Sequence, residues 1–233
     1  MKTPLLYKVY RALRRGWKSM TPEAQQAVKS FVASQKTAHG YMNAGGHEDA
    51  YYKQFGEVLE AVFAPIKLFH TKINLTVQES RHQDTVYGRF FDFIESEVRS
   101  KGQGAWSKGQ EAWSKGQGAW SKGQEVRTTN AVCCVLAMQH QMGQKHDAAC
   151  VEWLQQRQDE TGGFYASEQA PIPDLLSTAV GLFTLRLIGK EVKDATPFIE
   201  AHWLDNGGFA PTIYDEYSDV EYVFYGLLAL GSK

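Results

Sequence analysis

An acidic cluster, Asp215, Glu216, Asp219 and Glu221, leads directly into the aromatic run Tyr222, Phe224 and Tyr225. Carboxyls crowded together and shielded from water can retain a proton near neutral pH, which is what acid catalysis needs. Asp219 and Asp215 are the candidates for that role. The same residues also have a structural reading. Asp219 stands where a helix begins, so its side chain can accept from the free amides of the first turn while its neighbours occupy a solvated loop.

A second group, Cys133, Cys134, His140, His146 and Cys150, holds the soft ligands of the chain. Structural zinc sites draw on Cys-x-x-Cys or His-x-x-x-His pairs, and neither spacing occurs here. These cysteines are expected to pack as small apolar side chains, and no metal is expected.

The elements that must position these residues are bounded by composition. The chain has 233 residues, 43% hydrophobic and 12% aromatic, with a formal charge of −1. It is long enough for one domain over 1–233, and it lacks the basic excess that neutralises a run of phosphates, so a nucleic-acid partner is not expected. Three cysteines, two adjacent, make no disulfide framework and point to a reducing compartment. No stretch approaches 18 uninterrupted apolar residues, and Lys8 and Arg11 interrupt any apolar leader. A cytoplasmic location is the expectation.

Self-similarity supplies the organisation. Gly162-Gly163-Phe164 is followed by Asp174 and Gly181, and Gly207-Gly208-Phe209 by Asp219 and Gly226 at the same intervals. A worn copy reads His39-Gly40-Tyr41, Asp49, Gly56. In each unit an amphipathic helix ends in a turn, an aromatic plugs the joint, and an Asp caps a strongly apolar helix. Glycine inside a helix costs about 1 kcal/mol against alanine, so Gly181 and Gly226 are expected to permit a close helix approach.

The pattern predicts inner helices over 4–17, 47–63, 82–99, 127–143, 174–189 and 219–231, with outer helices over 22–35, 65–79, 145–158 and 192–204. A tract at 100–125 repeats Trp106, Trp113 and Trp120 every seven residues. It stands either as a degenerate outer element or as a duplicated loop.

Gly-Gly-Phe followed by Asp-x-x-Ser-Thr-Ala at Asp174 to Ala179 resembles the repeat of the prenyltransferase and squalene cyclase family, and is similar to protein prenyltransferase β subunits in particular. The resemblance covers 145–231 and 30–60, and implies an all-α, α/α toroid of about six inner and five outer helices. It implies activity less directly. Leu176 stands where those prenyltransferases place a zinc-binding cysteine and Tyr222 near the place of their histidine, so no zinc or other cofactor is expected. The Asp-x-Asp-Asp of triterpene cyclases, and the motifs of lanthionine cyclases and thioester domains, are absent.

In such a ring Tyr51, Tyr52, Tyr87, Phe91, Tyr222 and Tyr225 would line a central cavity able to take an isoprenoid or similar apolar chain, or would fill the centre as core. The functional expectation is an apolar-chain-binding toroid, whether or not it transfers or cyclises a prenyl-type substrate. The alternative is a non-catalytic scaffold for a protein partner. On the N-terminal helix, Leu6, Tyr10, Leu13 and Trp17 form an apolar stripe among Lys8, Arg11, Arg14, Arg15 and Lys18. That face is either solvated or in peripheral contact with a membrane.

Overall fold

Apolar stripes at helical spacing, five of them preceded by a capping side chain, become eight helices among the described residues of the computed structural model, which are 5–64 and 128–233. They are α1 (Leu5–Ser19), α2 (Pro22–Ser34), α3 (Ala50–Phe63), α4 (Thr129–Met142), α5 (Ala148–Gln155), α6 (Leu175–Leu187), α7 (Thr196–Ala201) and α8 (Val220–Leu230). All belong to one compact unit, Met1–Pro65 with Arg127–Lys233. The helices expected over 65–79 and 82–99, the 100–125 tract, Tyr87 and Phe91 lie outside the described residues. None of the eight is long and apolar enough to cross a membrane.

Helix starts follow the expected chemistry. Thr21 accepts from the Ala24 amide at 3.2 Å, Thr128 from Ala131 at 3.3 Å, Asp147 from Cys150 at 3.0 Å and Asp174 from Ser177 at 2.7 Å. Each satisfies a first-turn amide that has no partner within its helix. The outer helices α5 and α7 are shorter than the sequence suggests at both ends: α5 begins only after its cap Asp147 and α7 after Ala195, and both end where the chain enters the Gly-Gly turn.

Unforeseen in the sequence are two two-residue antiparallel ribbons, β1 (Tyr41–Met42) with β2 (Glu48–Asp49) and β3 (Phe164–Tyr165) with β4 (Pro173–Asp174). They pair the residue that plugs the joint with the residue that starts the next helix: Tyr41 with Asp49, Phe164 with Asp174. The turns before those two ribbons and the one at Gly207 and Gly208 share one bonding plan. The amides of Thr37, Asp159 and Leu204 donate to the carbonyls of Gly40, Gly163 and Gly208, and those of Met42, Tyr165 and Ala210 to Gln35, Arg157 and His202. Gly162 and Gly207 hold φ near +89° and +90°, a region that side chains resist.

The mid-helix glycines serve an end different from the one expected. A Cβ at Gly181 would come 2.6 Å from the Phe164 ring, and one at Gly226 would come 2.5 Å from Phe209; at Gly56 it would strike Tyr41. Each glycine therefore seats the aromatic of its own unit rather than a neighbouring helix. A close helix approach does occur elsewhere, where Gly16 of α1 and Gly231 at the end of α8 bring their backbones together.

The apolar helices pack in the order α4, α6, α8, α1, with α3 against both α8 and α1; α2, α5 and α7 pack outside them. Leu13, Leu59, Leu136, Leu182, Leu185 and Leu227 are fully buried between these helices. α1, α3, α6 and α8 run in one direction. Tyr51 near the start of α3 reaches Glu221 near the start of α8, while Arg15 of α1 and Arg186 of α6 both reach the end of α8.

Successive units hold one another through their turns. The Thr129 amide donates to the Ala166 carbonyl, and the Leu175 amide to Pro211, so each turn steadies the start of the preceding inner helix. The Ala44 amide, in the turn of the first unit, stands close enough to the Asp219 carboxylate to favour its charge. A second series agrees. Gly162 packs on the backbone of Asp194 and Ala195 before α7, and Gly207 packs on Ala27 of α2.

Candidate functional site

The starts of α3, α6 and α8 bring titratable and aromatic side chains to one end of the inner layer. Tyr51 donates its hydroxyl to Glu221 at 2.8 Å. Its ring meets Tyr52 edge-on at 5.4 Å and Phe55 at 5.0 Å; Phe55 continues to Phe224 at 5.1 Å and Tyr225 at 6.0 Å. Edge-to-face contacts at these separations are the favoured geometry of aromatic pairs. Tyr51 is 38% exposed, so the ladder reaches the surface at one end and the buried Phe55 at the other.

Of the expected cavity residues, Tyr51, Tyr52 and Tyr225 meet in this ladder. Tyr222 lies instead among carboxylates, its hydroxyl pushed up by burial and then by the charges of Glu221, Asp219 and Asp174. Phe55 joins the group unannounced, although its place one turn after Tyr51 was a readable signal.

The two candidate acids have different surroundings. Asp219 is 3% exposed and caps α8, accepting from the amides of Glu221 at 2.9 Å and Tyr222 at 3.2 Å. Burial raises its carboxyl above the ordinary range, and the nearby amides of Tyr222, Glu221 and Ala44 pull the other way. Asp215 closes a turn, accepting from the Thr212 amide at 2.9 Å and hydroxyl at 2.7 Å. Burial also raises Glu221 and Asp174.

A residue that sequence reasoning passed over stands beside them. His202, fully buried at the end of α7, places Nδ1 2.7 Å from the Phe198 carbonyl. A carbonyl only accepts, so Nδ1 carries the proton and Nε2 keeps a lone pair that finds no partner. Burial lowers its pKa, and the charges of Asp174 and Asp215 oppose that shift. Nothing in a lone histidine after an amphipathic helix distinguishes it from a surface residue.

The soft-ligand group disperses. Cys133 is buried in α4, Cys150 is buried in α5, and the His140 and His146 rings stack 5.5 Å apart. His140 Nε2 accepts from Lys8 at 2.8 Å. Among the described residues no three His, Cys, Asp or Glu side chains gather as metal ligands would.

No family model, curated protein or solved structure matches this chain.

Proposed function

We propose that the repeats close into an α/α toroid that binds an isoprenoid or similar apolar chain at the aromatic end of its inner helices. Closure is supported by the turn contacts: Gly207 meets α2 as Gly162 meets the start of α7, and Ala44 reaches the start of α8 much as Pro211 reaches α6. The observation that carries the ligand is the continuous aromatic ladder from the exposed Tyr51 inward through Phe55 to Phe224 and Tyr225. Such a surface binds hydrocarbon by burial, about 0.8 kcal/mol for each CH₂ before ordering costs. Any proton chemistry on the ligand falls to Asp219, whose carboxyl burial keeps protonated further up the pH scale, with Asp215 on the adjoining turn.

The test is calorimetric titration with isoprenoid alcohols of increasing length, below their aggregation limits. Affinity should rise with chain length and fall in Tyr225→Ala, with the fold retained by circular dichroism. A flat series would leave the scaffold reading in its place. That second reading has its own support in the turn before α8, where Ile213, Tyr214 and Tyr217 are 53%, 76% and 48% exposed, a presentation suited to a protein partner.

A further inference from the structure

Opposite the aromatic end, the inner helices finish among arginines. Lys8, Arg11 and Arg15 follow one another on α1 at intervals of three and four residues, so they share a stripe. Lys8 is engaged with His140. Arg15 donates Nε to the Gly231 carbonyl at 2.9 Å, and Arg186, in the last turn of α6, donates Nε to the Ser232 carbonyl at 3.3 Å. Two successive carbonyls thus hold two guanidiniums from different helices near each other, each by its inner nitrogen. Among the described residues no acceptor takes the outer nitrogens of either.

Arg11, Arg15 and Arg186 are all exposed, and the one ion pair among the described residues, Lys36 with Glu60, lies elsewhere. Arg15 feels the crowding: after burial, the charges of Arg11 and Arg186 are what lower its guanidinium from the ordinary value. Capping of helix ends accounts for part of this arrangement, since a helix C-terminus carries roughly half a negative charge. The ends of α6 and α8 together offset about one of the three positive charges. An excess remains, and Arg11 caps nothing.

We propose that Arg11, Arg15 and Arg186 form a binding site for a phosphate group, either inorganic phosphate or the headgroup of an anionic lipid. Planar guanidiniums presenting paired N–H groups match phosphate oxygens in geometry as well as charge. The site is separate from the aromatic end, and its success or failure is independent of the ligand proposed there.

The experiment uses the full chain at constant ionic strength. Thermal melts with inorganic phosphate replacing chloride read the free anion; cosedimentation with phosphatidylcholine vesicles, with and without phosphatidic acid, reads the headgroup. Arg11→Gln should melt like the parent without phosphate, and should weaken phosphate or vesicle binding about tenfold, the loss of one charge-assisted contact. Lys53→Gln, an equal loss of charge at the other end of the inner layer, should leave binding unchanged. Stabilisation by phosphate that Arg11→Gln abolishes identifies a free-phosphate site. Sedimentation only with phosphatidic acid, lost in Arg11→Gln, identifies a headgroup site. Binding in neither arm, or equal loss in Lys53→Gln, overturns the proposal and leaves the arginines as helix caps.

Discussion

Phe209 lies flat enough against Gly226 that a Cβ there would come 2.5 Å from its ring, well inside contact distance. Alanine in a helix interior normally gains about 1 kcal/mol over glycine. Here overpacking, which typically costs 1–3 kcal/mol, should reverse the sign. Gly226→Ala and Gly181→Ala are therefore expected to destabilise by up to roughly 2 kcal/mol in urea unfolding, the largest difference of those two effects. Adding Phe209→Leu to Gly226→Ala should cost less than the sum of the separate changes, because the smaller side chain vacates the contested space. Strict additivity would show that the ring and the glycine do not meet.

Asp219 offers a separable test of capping and charge. Asp219→Ala removes the acceptor of two amides and should cost about 1–2 kcal/mol, the upper part of the N-cap range, since the site is buried. Asp219→Asn retains an acceptor and sheds a charge that burial penalises, so it should fall well under half that loss. Should Asn prove as damaging as Ala, the ionised carboxylate itself holds the helix start. An asparagine variant that folds normally is also the clean probe of any acid chemistry.

Much of this was legible because it depends on local rules. Asp174 and Asp219 announce helix starts by residue type, and both cap the helices that follow; Asp147 caps α5 at a position that apolar periodicity places inside the helix. The aromatics Tyr41, Phe164 and Phe209 were readable as plugs because they recur after the same turn. What each plug rests on was not legible: a glycine seven residues after a capping Asp fits a crossing helix as well as an aromatic ring. Arg14 and Arg15 on a helix with no acid read as a solvated face, yet Arg14 bonds the Val62 and Ala64 carbonyls and Arg15 that of Gly231. Such bonds between residues distant in sequence leave no periodic trace. His202 was invisible for the same reason, its burial arising from elements that the sequence keeps apart.

The cysteines should be inert while the chain is folded. Cys133 is 4% exposed with its thiol pushed up to about 12 by burial, Cys150 is fully buried, and burial raises Cys134 as well. The thiolate is the reactive form, so little is present at pH 8. A thiol reagent at that pH is expected to label the native protein slowly and all three cysteines rapidly in denaturant. Prompt labelling of one thiol in the native state would contradict the packing described for α4 or α5.

His202 should make the fold sensitive to mild acid. Its pKa is lowered in the folded chain, chiefly by burial, while in the unfolded chain it titrates near 6.5. As pH falls through 6.5 the unfolded state takes up a proton that the folded state refuses, so stability declines until the lower folded value is passed. Asp174, Asp219 and Glu221 act in the opposite sense. Their raised carboxyls bind protons in the folded state first, and as pH falls through their folded values toward about 4 they restore stability. Unfolding free energies measured between pH 7.5 and 5 should therefore fall on the acid side, and the fall should be smaller in His202→Gln, which cannot take up the proton. Gln also lets a side-chain amide donate to the Phe198 carbonyl in place of Nδ1, so the comparison retains that bond. Equal slopes in the two proteins would mean that His202 is protonated alike in both states, and that its buried Nε2 has found an acceptor on protonation.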